Sequence, residues 1–239
     1  MKLNVRRVRA IMLKELRDYS RNRPIIWAMF LFPVIFTVQP LISIFAATGL
    51  TAAALSGRHE LLFMLGVPIL VPATLAAYAV AGERLQETLE PVLETPITRE
   101  EFLVGKALAV FVPSVIISYI VFAVYIVVVS LAKPDIAPGL FGADDIIVQI
   151  VFTPLLAAFS IWVGIAISTR AGDPRTAQQL SVLSSLPVFF IAILLAFNVI
   201  APSLELAIFL GALLLIADIV GWRLIVPLFD RERLISGAH

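Results

Sequence analysis

The chain has 239 residues, of which 60% are hydrophobic and 15% charged, and its mean hydropathy is +1.00. Soluble domains have about 45–50% apolar and about 25% charged residues, so this composition excludes a soluble enzyme. A net charge of +1 gives no sign of a nucleic-acid-binding surface, and the absence of cysteine excludes disulfides and thiolate chemistry.

The first segment, residues 1–23, predicts a basic amphipathic helix. Apolar residues recur on one face from Val5 through Val8, Ile11 and Leu16 to Tyr19, and basic residues cover most of the remainder. We expect this helix to lie in the cytoplasmic membrane interface, with its apolar face toward the bilayer and its basic face toward anionic lipid headgroups. The alternative is a basic tail that only sets topology.

Six apolar stretches follow, and each is long enough to cross a bilayer core, which needs roughly 20 helical residues. They lie at about Ile25–Ala46, Leu61–Ala81, Ala107–Leu131, Ile146–Ser168, Leu180–Val199 and Leu204–Leu228. None alternates like a barrel strand, and a single helix satisfies its own backbone in lipid. The sequence therefore predicts an all-α polytopic membrane protein, with one transmembrane domain over residues 1–239.

The basic residues are distributed asymmetrically about these stretches. Every Lys and Arg except Arg58 and Lys133 falls on the side that also carries both termini. Basic residues accumulate in cytoplasmic loops, so both termini are predicted to be cytoplasmic in a multi-pass protein of the cell membrane.

Two kinds of side-chain stripe recur inside the stretches. Small residues at spacing four, such as Ser160, Gly164 and Ser168, predict close helix packing. A polar stripe of Asp145, Gln149, Thr153 and Ser160 shares one side of the fourth stretch. This stripe is interpreted as packing, and the alternative is the lining of a substrate path.

The segment between the second and third stretches, residues 82–104, is acidic although cytoplasmic loops are normally basic. It has six glutamates against two arginines over residues 82–101, and apolar residues recur at helical spacing from Leu85 to Leu93. Thr98 followed by Glu101 is a capping-box pattern. Two short helices are predicted, the first ending near Pro91 and the second starting near Thr98. Such a segment fits docking into a soluble partner, and the alternative is a solvated connector.

The same segment carries a run that resembles permeases of the type-2 export class of ABC transporters. The matching elements are Glu83-Arg84, Thr88-Leu89-Glu90, Thr95-Pro96 and Gly105-Lys106, in that order. The resemblance extends over nearly the whole chain. Two positions depart from the pattern: Glu87 stands where the family has glycine, and Pro91 where it has leucine.

The resemblance implies a half-transporter, in which two six-helix permease units form the pathway and work with a separate ABC ATPase subunit. We expect a homodimer, and the alternative is a heterodimer. Cofactors are expected only on that subunit, as ATP and Mg. The chain itself is expected not to be an enzyme, because it has no G-x-x-x-x-G-K-[ST] phosphate loop. The implied function is export coupled to ATP hydrolysis. The residues implied in ATPase coupling are Glu83, Arg84, Thr88, Leu89, Glu90, Leu93, Thr95, Pro96 and Arg99.

Other residues give weaker indications of function. Asp218 lies inside the sixth stretch, where a charge costs about 2.5–3.5 kcal/mol on insertion scales, so a transport role is a candidate beside a structural one. His59 stands without clustered ligands, which argues against a metal site. Two further functions stay open: a membrane scaffold or assembly factor of the same fold, and a carrier driven by an ion gradient.

Overall fold

The structure is a computed structural model that describes residues 3–46, 59–85 and 97–229, apart from the side chains of residues 24, 60, 84, 228 and 229. Over this part the chain is helical, without strands. The elements are α1 (Val5–Arg21), α2 (Arg23–Ala46), α3 (Glu60–Phe63), α4 (Gly66–Ala76), α5 (Tyr78–Leu85), α6 (Arg99–Ala132), α7 (Ala137–Leu140), α8 (Ala143–Arg170), α9 (Pro174–Ala196) and α10 (Leu204–Ile225), followed by a 3₁₀ turn at Val226–Phe229.

Six candidate membrane spans, judged by length and composition, confirm the predicted all-α polytopic fold. The first runs over Ile25–Ala46 as predicted. The third differs, because α6 is one continuous helix of 34 residues from Arg99. The short helix predicted to start near Thr98 is therefore the beginning of the third span. The fifth helix also starts earlier than predicted, at Pro174, and ends at Ala196.

The second span lies at the centre of the helix bundle. In its most apolar stretch 89% of the residues are buried, whereas none of the residues in the corresponding stretch of α10 is fully buried. The central part, α4, packs against α2, α6, α8 and α9. The outward faces of α2, α9 and α10 carry large apolar side chains such as Phe30, Phe190 and Phe209. These faces suit lipid tails or other transmembrane helices.

Helix α8 packs on the second span through the small residues that the sequence singled out. A Cβ added at Gly164 would lie 2.7 Å from the Cβ of Ala76, so only glycine permits this helix separation. The polar stripe of α8 is buried inside the same chain: Asp145 is 7% exposed, Gln149 1%, and Thr153 and Ser160 0%. This burial agrees with interpreting the stripe as helix packing.

The second span is interrupted near its C-terminal end, between α4 and α5. The interruption falls at Ala77, and Ser168 of α8 makes three hydrogen bonds there. Its Oγ accepts the backbone N–H groups of Val80 and Ala81 at 3.0 Å each, and donates to the carbonyl of Ala77 at 2.6 Å. Residues Tyr78–Leu85 thus form a separate helical segment, α5.

Helix α1 is present as predicted, and Asn4 caps it by accepting the N–H of Arg6. Its apolar face packs on protein, whereas the sequence predicted that it would face the bilayer. Val8, Ile11 and Tyr19 are buried, and the helix packs mainly on α6. The opposite face is exposed and carries Arg6, Arg9, Arg17 and Arg21.

Candidate functional site

Residues 82–104 are named the acidic loop. Its two stems are α5 and the start of α6, and both contact helix α1. The start of α6 is fixed by the capping box that the sequence predicted. Thr98 Oγ1 accepts the N–H of Glu101 at 3.3 Å, and Glu101 Oε2 accepts the N–H of Thr98 at 3.0 Å. Each bond satisfies a backbone N–H group that has no partner within the helix.

Glu101 also ties α6 to the beginning of α1. Its Oε1 accepts the backbone N–H of Asn4 at 2.9 Å, and Arg7 Nη1 donates to Oε2 at 3.4 Å. The carboxylate is 2% exposed, so both helix starts share one buried acceptor. The start of α1 is therefore attached to the start of α6 through this one carboxylate.

One turn further along α6, Gly105 brings the two helices into direct contact. A Cβ at this position would lie 2.7 Å from Cβ and Cγ2 of Ile11 and 3.2 Å from the carbonyl oxygen of Val8. Any larger residue would push α1 away from α6. The Gly of the Gly-Lys pair is thus explained by helix packing.

The lysine of the same pair lies in a cluster of four charged residues, which we name the charge cluster: Lys14, Glu15, Glu83 and Lys106. Lys106 is fully buried, and its Nζ lies 3.0 Å from Glu15 Oε1 and 3.1 Å from Glu83 Oε2. Lys14 Nζ lies 2.6 Å from Glu83 Oε1 and 3.4 Å from Glu15 Oε1. Two cations therefore face two carboxylates, and the cluster joins α1, α5 and α6.

Helix α1 contributes Glu15 and Lys14 to the charge cluster, and the contacts within the cluster shift the pKa of each. Burial pushes the pKa of Glu15 upward, but the attraction of Lys106 and Lys14 is stronger in sum, and the pKa lies below its ordinary value. Burial likewise works against the charge of Lys14, yet its contacts with Glu83 and Glu15 raise its pKa overall. Both side chains are therefore charged at neutral pH.

Only part of the residue set implied for ATPase coupling lies in the described part of the chain. Glu83 is 5% exposed and belongs to the charge cluster, so it faces inward. Arg84 belongs to α5, and Arg99 is an exposed residue in the first turn of α6. The remaining six positions lie in residues 86–96, outside the described residues: Thr88, Leu89, Glu90, Leu93, Thr95 and Pro96.

Sequence reasoning missed the roles of Lys14 and Glu15 in this site, and for Glu101 it predicted the capping box but not the contacts with α1. A signal for Glu15 was available, because it lies four residues after Ile11 and four before Tyr19, on the apolar face of α1. An acid in that position indicates a buried cationic partner. No sequence pattern near Glu15 identifies the partner as Lys106, because Lys106 is 91 residues away.

Two further polar positions lie away from this site. Asp218 of α10 is partly buried, and its Oδ1 is enclosed without a hydrogen-bond partner among the described residues. At the opposite end of the bundle, His59 Nδ1 lies 2.7 Å from Asp145 Oδ1, which links the start of the second span to the first turn of α8. The described residues contain no group of His, Cys, Asp and Glu that could hold a metal ion.

Comparison with protein families decides the assignment. The family of ABC-2 type transporters matches residues 6–204, which is most of the chain and includes α1 and five of the six spans. The chain belongs to the ABC-2 type transporter family. Comparison with curated proteins gives no match at a significant level. The six spans and the family together make this chain a membrane permease component of a transporter, and the predicted resemblance is confirmed.

Proposed function

We propose that this ABC-2 permease couples ATP hydrolysis on a separate ABC ATPase subunit to export of a substrate. In this proposal ATP and Mg bind the partner subunit, and residues 82–104 form the contact that the ATPase moves. The observation that carries the proposal is the charge cluster. It ties the two stems of the loop to α1 and so to one another.

A stiff attachment matters because a displacement applied to the loop is useful only if it reaches the transmembrane helices. Glu83 holds the first stem and Lys106 the second, and both contact α1. Only Asn22 separates α1 from α2, so α1 is joined directly to the first span. A push on the loop would therefore move the ends of the first three spans as one unit.

The proposal includes a second permease subunit, because one six-helix unit forms half of a pathway in this class. We propose a homodimer in the cell membrane with both termini in the cytoplasm. The exposed arginines of α1 then lie near the cytoplasmic surface, where Arg6, Arg9, Arg17 and Arg21 suit anionic lipid headgroups. No ion pair to these four arginines is formed by the described residues.

The docking part of the proposal is tested by charge reversal in the loop. Glu90→Lys or Glu94→Lys should remove a P-loop ATPase that co-purifies with the folded permease. Glu205→Lys is the matched control, since Glu205 is exposed in the first turn of α10 at the predicted outer side. Full retention of the ATPase by both loop variants would contradict docking through this loop.

A transport assay separates the exporter from the two other functions considered. Proteoliposomes that contain the permease and its ATPase should move cargo only when ATP is supplied on the side of the acidic loop. A scaffold would bind the ATPase without transport. A carrier driven by an ion gradient would transport without ATP.

A further inference from the structure

The junction between α4 and α5 is a helix interruption whose unpaired groups are satisfied by another helix. The N–H groups of the first turn of a helix have no partner within it, and an N-cap side chain normally accepts one of them. Before α5 that position is Ala77, which has no side-chain acceptor. Ser168 of α8 provides the missing oxygen.

This single hydroxyl satisfies three backbone groups at once. It accepts from Val80 and Ala81 at 3.0 Å each and donates to Ala77 at 2.6 Å. Ser168, Val80 and Ala77 are each 0% exposed. Water therefore does not reach these groups in this conformation, and the hydroxyl bonds to backbone groups on both sides of the junction.

The neighbouring small residues allow α8 to come close enough for this contact. Gly164, one turn before Ser168, lies against Ala73 and Ala76 of α4. Around the interruption itself, Ala77, Ala81, Ala171 and Ala177 form a small cluster of buried alanines. At the interruption itself these side chains are small and apolar, so the Ser168 hydroxyl makes the directional contacts there, while Glu83 holds the other end of α5 in the charge cluster.

We propose that Ala77 is a hinge, that Ser168 is the positioning residue that latches it, and that α5 swings about it when the acidic loop is pushed. The use of the hinge in transport rests on the proposed function above. Because α5 ends in the charge cluster through Glu83, its swing would carry α1 and the start of α6 with it.

The size of the motion follows from helix geometry. Leu85 is eight residues beyond Ala77, or about 12 Å along a helix at 1.5 Å per residue. A kink of about 20°, the lower limit for a sharp bend, would displace Leu85 by about 4 Å. A spin-label distance measurement resolves a change of this size.

The test uses the absence of cysteine from the chain. Leu85→Cys and Leu180→Cys place labels on exposed positions of α5 and α9, across the hinge. Ile150→Cys with Leu180→Cys gives a reference pair that does not include α5. In the permease alone, in lipid and without nucleotide, Ser168→Ala should broaden or shift the Leu85–Leu180 distance by about 4 Å. The reference pair should not change.

The matched control is Ser160→Ala, on the same helix and two turns away. Ser160 is also 0% exposed, but its Oγ has no hydrogen-bond partner among the described residues. This variant should keep the wild-type distances for both pairs. A Leu85–Leu180 distribution that is the same in Ser168→Ala as in wild type would overturn the hinge. So would equal broadening in Ser160→Ala.

A second measurement does not depend on whether Ser168→Ala folds. In the wild type, the amide protons of Val80 and Ala81 should exchange with solvent at one shared rate. Both lose their hydrogen bond when the Ser168 hydroxyl moves away. That exchange rate should exceed the exchange rates of the amide protons in α4. Exchange as slow as in α4 would overturn the proposal. Neither measurement involves the ATPase. A failure of the hinge can therefore be distinguished from a failure of ATPase docking in the test with Glu90→Lys.

Discussion

Removal of the buried lysine gives the sharpest test of the charge cluster. Lys106→Met keeps a long unbranched side chain but leaves Glu15 and Glu83, which are 4% and 5% exposed, with one cation fewer. Breaking a buried ion pair by removing one partner costs about 3–5 kcal/mol, because the other charge stays buried. Lys14 still contacts both carboxylates, at 2.6 and 3.4 Å, so we expect a loss of about 3 kcal/mol.

This loss is measurable as thermal unfolding of the purified permease in mild detergent. For a chain of 150–250 residues, 1 kcal/mol corresponds to about 2–4 °C in Tm, so Lys106→Met should lower Tm by about 6–12 °C. The fluorescence of Trp162 and Trp222, whose rings stack edge to face at 5.8 Å, reports the transition.

A neutral variant distinguishes electrostatics from lost packing. Lys106→Met combined with Glu15→Gln and Glu83→Gln removes both uncompensated carboxylates, and the remaining Lys14 has a side chain that is 40% exposed. Replacing a whole buried ion pair with neutral groups is often close to neutral for stability. The combined variant should therefore recover most of the lost Tm. A Tm as low as in Lys106→Met alone would refute the electrostatic reasoning.

Three other changes test separate parts of the structure. Gly105→Ala should destabilise the permease by about 1–3 kcal/mol, since its Cβ would lie 2.7 Å from Ile11, whereas Gly172→Ala should have no effect because nothing lies within 4 Å. The pKa of Glu15 is lowered by folding, so its stabilisation is present above its ordinary value of 4.5 and is lost as the pH falls below it. Unfolding at a series of pH values should show this acid limb, and Glu15→Gln should flatten it. Asp218→Asn should reduce transport at normal expression if the enclosed carboxylate acts in transport; unchanged transport would limit Asp218 to a structural role.

The sequence predicts the spans well because their signal is local. A run of about 20 apolar residues specifies a membrane helix without reference to any other part of the chain. The start of α6 is equally local, since Thr98 and Glu101 form both bonds of the capping box within four residues. Helix α1 follows from the spacing of Val8, Ile11 and Tyr19.

What the sequence does not predict depends on contacts between distant segments. An apolar face has the same pattern whether it meets lipid or another helix, so the packing of α1 on α6 could not be distinguished from insertion into the interface. The Ser168 contacts join positions 87 to 91 residues apart. Serine in a membrane helix is common and more often bonds to its own helix, so its spacing alone gives no such contact.

A buried charge cluster is a poor source of stability, which raises the question of why this junction has one. Apolar side chains of similar volume would hold α1, α5 and α6 together at least as well, but they permit sliding between helices. Four charges with short contacts, such as Lys14 to Glu83 at 2.6 Å, fix one register. If register is the role, the neutral variant of Lys106, Glu15 and Glu83 should fold and bind the ATPase, yet hydrolyse ATP with less transport per ATP. Wild-type transport per ATP in that variant would show that the junction needs only to be packed.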